Sequence, residues 1–227
     1  MKKRVFYTEV SYVLALLLLA LGAALTELAN LGMSMVVAPA YILHLQLSQF
    51  LPWFTFGVAE YAVQGLLILL VSVIMRGFKL SYLFSFVTAL LYGTVLDGAI
   101  CAVSLLPDEM IAWRILWFVA GTVLCAIAVS LFFHTYISPG AYELIVKEIA
   151  RRFSMKAHKV KTGYDCLSTA VAILLSFAFF GFGVFRGVGI GTVICALLNG
   201  FLIGKITATL EKIFVFKNRF PLERYFQ

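Results

Sequence analysis

Six stretches of this chain are each long and apolar enough to cross a hydrocarbon core, which takes about 20 predominantly apolar residues at helical rise. They lie near 10–30, 56–75, 80–104, 111–134, 163–182 and 187–209, and little chain is left between them. Hydrophobic residues make up 63% of the sequence and charged residues 13%, about half the charge a soluble domain needs to coat its surface. The expected fold is therefore an all-α membrane protein with six transmembrane helices.

The net charge of +7 does not point to nucleic acid, because the cations sit in the gaps between apolar blocks. If the N-terminus is cytoplasmic, 16 of the 18 Lys and Arg fall on one side and only Arg114 and Arg186 on the other. That is the asymmetry of the positive-inside rule, and it predicts a multi-pass protein of the bacterial inner membrane with both termini cytoplasmic. The partners it implies are the lipid bilayer and, for the basic segment 147–161, anionic lipid or a docked protein. Cys101, Cys125, Cys166 and Cys195 lie in or beside apolar blocks with no C-x-x-C pair, so neither a metal site nor a cofactor is expected. The apolar run after Met1-Lys2-Lys3-Arg4 lacks an A-x-A-like cleavage site and continues through Glu27 and Asn30, so it reads as a spanning helix.

Two interruptions break the pattern. Residues 32–53 are apolar but carry Pro39 and Pro52, and residues 138–162 open with Ser138-Pro139-Gly140 and continue as the charged stretch ELIVKEIARRF. Proline lacks the N–H needed inside a helix and suits its first turn, so each break ends one helix or begins another. Leu144, Ile145, Ile149 and Phe153 opposed by Lys147, Glu148, Arg151 and Arg152 predict an amphipathic helix along the interface. Whether 32–53 is re-entrant, interfacial or spanning stays open.

The chain also repeats itself. L-A-L-G-A-A-L leads to Ala38-Pro39-Ala40-Tyr41 in one half, and F-V-A-G-T-V-L leads to Ser138-Pro139-Gly140-Ala141-Tyr142 in the other. Ala89-Leu90-Leu91-Tyr92-Gly93 then matches Ala196-Leu197-Leu198-Asn199-Gly200. Three spans is an odd number, so residues 1–106 and 107–227 are expected to enter the membrane in opposite senses, as two inverted three-helix repeats. The second would include the cytoplasmic segment 140–161 and a cytoplasmic tail, 210–227.

The proline motifs, the string KVKTGYDCLSTAVAILLSFAFFG and the string GVGIGTVICALLNGFLIG resemble the YczE/YitT-like bacterial integral membrane proteins. LGMSMVVAPAY stands where some members have a Gly-rich, Pro-Trp-Asp-type sequence, which points to a divergent branch. The resemblance implies a bacterial multi-pass membrane protein and names no substrate.

Ionisable residues within spans are functional candidates by default. Glu27, Glu60 and Asp97 fall at similar depth in the first repeat, where they would line an outward cavity attracting a cation or amine, or simply meet water at the headgroups. Asp165 reads as a first-turn carboxylate of the fifth helix capped by Thr162, or as a partner of Lys159 or Lys161. Tyr92 and Asn199 occupy matched positions beside glycines, either as packing devices or as the border of a central site. Pro39, Ser138 and Pro139 mark breaks at which half-helix N-termini would face an anionic group. The leading function is a small secondary transporter or solute carrier. Its rivals are a membrane scaffold and the substrate-binding subunit of a larger transporter. No Walker, G-x-S-x-G or H-E-x-x-H motif speaks for an enzyme.

Overall fold

The computed structural model describes residues 3–32 and 34–221; Lys2 and Arg224, both counted in the charge asymmetry, and the end of the expected tail lie outside them. The order is β1 (Arg4–Tyr7), α1 (Thr8–Ala29), α2 (Ala38–Leu47), α3 (Phe56–Met75), α4 (Phe84–Val103), α5 (Ile111–Phe132), α6 (Ala141–Arg152), α7 (Ala157–Phe180), α8 (Ile190–Ile213) and β2 (Phe214–Lys217). A 3-10 turn, Leu80–Leu83, leads into α4. Six of the helices are long and apolar enough to span a bilayer: α1, α3, α4 with its leading turn, α5, α7 and α8. The chain is an all-α multi-pass membrane protein. In hydrocarbon no water satisfies backbone groups, so intrahelical bonding is the solution open to single segments.

The two halves meet where α1 crosses α5. A Cβ added at Gly22 would lie 2.8 Å from the Gly121 carbonyl and 2.7 Å from Cys125 Sγ; one added at Gly121 would lie 2.6 Å from the Gly22 carbonyl and 2.7 Å from Thr26. The contact is reciprocal, between glycines of the matched strings, and nothing bulkier fits the backbone approach. Other contacts come in corresponding pairs: α1 with α4 and α5 with α8, α3 with α6 and α7 with α2, α2 with α3 and α6 with α7. One pair is unequal. α8 closes on α7 through Gly200 against Thr162 and Gly204 against the His158 ring, whereas Gly93 of α4 has open space around it, and α4 is mostly exposed.

The breaks hold short helices. Pro39 sits in the first turn of α2, whose 10 residues extend about 15 Å at 1.5 Å per residue, too short to span. At the second break Ser138 and Pro139 are buried: the Ser138 hydroxyl donates to the Ser81 carbonyl at 2.8 Å, and its carbonyl accepts from Thr88. Residues 143–153 form a helix more deeply buried than an amphipathic stripe alone would require. α6 packs against α3 and α7 with Tyr142, Glu143, Leu144, Ile145, Val146 and Glu148 buried, because Tyr82 and Lys161 supply partners for its two carboxylates. The fifth span starts at Ala157 rather than near 163, so Asp165 is interior to α7 and not a first-turn residue. The expected 210–227 tail begins instead as the last turn of α8 and β2.

β1 and β2 pair in parallel, Arg4 opposite Phe214 through Tyr7 opposite Lys217, which ties the segment before α1 to the one after α8. Glu9 secures them further, accepting from the Tyr136 hydroxyl and the backbone N–H groups of Arg219 and Phe220. At the opposite end Arg114 donates to the Ala29 and Asn30 carbonyls, a cation serving the C-terminus of α1.

Two outcomes test this packing. Gly121→Val should destabilise the detergent-purified protein by about 1–3 kcal/mol or more, since over-packing here pushes backbones apart, while Gly93→Ala should not lower the melting temperature. Lys147, donating to the Thr135 carbonyl, has its ammonium pushed down to about 8 by burial. A depressed lysine favours folding only above its unfolded value near 10.5, and that benefit is lost as pH falls towards 8. The melting-temperature difference between wild type and Lys147→Met should therefore shift in favour of wild type from pH 8 to 10.5, and a flat difference would contradict the assignment.

Candidate functional site

Between the halves lies a cavity of about 360 Å³ with residues of α1, α3, α4, α5, α6, α7 and α8 on its walls. Its size is at the small-ligand end of the range for binding pockets, and its lining is mostly apolar and aromatic, including Phe56, Tyr61, Tyr92 and Phe118. Polar groups converge on it from the two breaks and the helices beside them.

Lys161 is the charged centre of one wall. It is 2% exposed, its Nζ lies 2.8 Å from Asp165 Oδ1 and 3.8 Å from Glu143 Oε1, and Asp165 is wholly buried. The i,i+4 spacing on α7 puts Lys161 and Asp165 on one face, while α6 carries Glu143 in from its first turn. Burial raises the Glu143 carboxyl above the ordinary carboxylate range, and the Lys161 charge draws it partly back. A buried lysine between two acids holds α6 to α7 only while its charges remain matched.

Glu60 of α3 anchors the other wall. Its Oε1 accepts from the Tyr142 hydroxyl at 2.8 Å and from Gln64 Nε2 at 3.2 Å, while its Oε2 is buried without a hydrogen-bond partner. The Tyr142 hydroxyl is pushed above its ordinary value by burial and by the neighbouring carboxylate, so it stays a donor. Gln64 Oε1 and Asn199 Oδ1 are likewise buried and unsatisfied.

Of the residues expected from sequence, Glu60, Tyr92 and Asn199 line the cavity, and Asp165 stands behind Lys161. Glu27 and Asp97 do not reach it; both are exposed. The reason is helical phase. On α4 the cavity takes Thr88, Ala89, Tyr92, Gly93 and Leu96, and Asp97 falls about 100° past Leu96; Glu27 falls the same step past Thr26 on α1. Pro39, Ser138 and Pro139 shape the breaks without lining the cavity, which Val37 and Gly140 beside them do. Glu60 is not a helix cap: Thr55 fills that position, accepting from the Val58 N–H.

Glu143, Tyr142 and Gln64 escaped sequence reasoning as site residues, while Lys161 entered it as a possible partner of Asp165 and as part of the basic segment. The signal available was Lys161-x-x-x-Asp165 running straight into an apolar helix, a spacing that pairs the two in a bilayer.

These features define a class: an α-helical multi-pass membrane protein with a partly polar cavity between its halves. Residues 6–208 match the profile of the family of unknown function DUF6198, and the chain belongs to that family. No curated protein and no solved structure matches it.

The lysine cluster predicts a specific stability pattern. Lys161→Met should cost about 3–5 kcal/mol in thermal unfolding, because it strands two buried carboxylates. Adding Asp165→Asn should recover part of that loss, and a double variant no better than the single one would refute the coupling.

Proposed function

We propose that this protein is a small secondary transporter or solute carrier of the bacterial inner membrane, built as two inverted repeats with the substrate site in the cavity between them. The observation that carries the reading is that cavity: it is bounded by both halves, and residues of its lining hold buried polar atoms left without partners. A scaffold has no use for such atoms, whose burial without hydrogen bonds costs about 1–3 kcal/mol each unless a ligand meets them. Reciprocal contact of Gly22 with Gly121 and the paired helix contacts favour a two-fold relation in the membrane plane, as inverted repeats require. The unequal gaps, open beside α4 and closed between α7 and α8, fit one state of an alternating-access cycle.

Cytoplasmic termini are part of the same reading. Arg76, Lys79, Lys156, Lys159 and Lys212 lie in or beside the connections at the end that holds the paired strands, and Arg114 and Arg186 lie at the other. The basic surface near α6 suits anionic headgroups. The carrier reading needs no resident cofactor and no enzymatic step, and the resemblance to YczE/YitT-like proteins agrees with it in architecture.

Cys195 lines the cavity and provides the test. A variant retaining only this cysteine would be treated with a membrane-impermeant maleimide in intact cells and in inverted membrane vesicles. A carrier is expected to react from both sides. Reaction from one side only would reduce the protein to a binding subunit, and reaction from neither would favour the scaffold.

A further inference from the structure

Resting on the carrier reading, and deepening it, we infer that the cavity takes a small organic cation: an ammonium head seated at Glu60, Gln64 and Asn199, with an apolar body against the aromatic wall. The unsatisfied atoms carry the argument. Glu60 Oε2, Gln64 Oε1 and Asn199 Oδ1 are all buried acceptors, and Gln64 and Asn199 are only 7% and 5% exposed. Gln64 cannot simply be turned over, because its Nε2 is committed to Glu60 Oε1. A ligand completing these atoms must bring donors, and an ammonium brings three with no acceptor.

Charge points the same way. Glu60, Glu143 and Lys161 line the cavity with Asp165 behind Lys161, and Lys161, the one cation of the lining, is engaged by Glu143 and Asp165. Among the described residues Glu60 has hydrogen-bond donors but no ion-pair partner. An anionic ligand would meet this carboxylate excess in a low dielectric, whereas a cation relieves it. Tyr61 and Tyr92 also line the cavity, aromatic side chains favourable to a cation or to an apolar body. Both halves contribute to the seat, Glu60 and Gln64 from one and Asn199 from the other, so an occupied site would bridge them.

Three probes with one aromatic body and different heads separate the possibilities: phenethylamine, 2-phenylethanol and phenylacetate, titrated calorimetrically into the detergent-purified full chain. The amine is expected to bind at least tenfold tighter than the alcohol, with phenylacetate weakest. Glu60→Gln should abolish the preference for the amine over the alcohol, and Glu27→Gln should leave it intact. Equal or tighter binding of the alcohol or the acid to wild type overturns the inference without recourse to any variant, as does an amine preference that survives Glu60→Gln. If none of the three binds while Cys195 still reacts from both sides, the cation assignment falls and the carrier reading stands; if labelling fails as well, both fall.

Discussion

The crossing of α1 and α5 at Gly22 and Gly121 sets the distance between the two halves, and the rest of the arrangement hangs from that distance. Each glycine rests on the other's carbonyl, so the axes approach more closely than any Cβ would permit. In a bilayer, where lipid is as apolar as leucine, such close packing and interhelical bonding are what hold helices together. With α1 and α5 fixed, α4 and α8 lie outside them, and α2 and α6 are enclosed with α3 and α7. The cavity is the space left between these layers.

Into that space the fold brings charges that hydrocarbon would reject singly. Lys161 between Glu143 and Asp165 makes burial tolerable by pairing, and Tyr142 with Gln64 does the same for half of the Glu60 carboxylate. The second oxygen of Glu60 is left over. Functional sites in membrane proteins concentrate polar groups in this way because their cost confines them to places where they are used.

The first half and the second are not equivalent in this structure. Gly200 and Gly204 close α8 onto α7, while the matched Gly93 faces open space and leaves α4 apart from α3. The polar residues are divided just as unevenly: the lysine and two of the acids belong to α6 and α7, and the unpaired acid to α3. The two halves thus carry two different chemistries, one devoted to internal pairing and the other to open acceptors.

What the sequence determined by itself was everything governed by composition and spacing along the chain. Apolar length fixed the six spans, and proline fixed where α2 and α6 begin. Glu60, Tyr92 and Asn199 were legible because an acid within a span and polar residues beside repeated glycines are conspicuous at the sequence level. What only the tertiary structure decided was rotation and depth. Asp97 and Glu27 miss the cavity by about one residue of helical phase, and no count of apolar residues sets that angle. Lys161 was legible from sequence as a candidate partner of Asp165 on its own helix, but its second partner, Glu143, comes from α6, and bringing α6 and α7 together is a long-range event that local pattern does not encode.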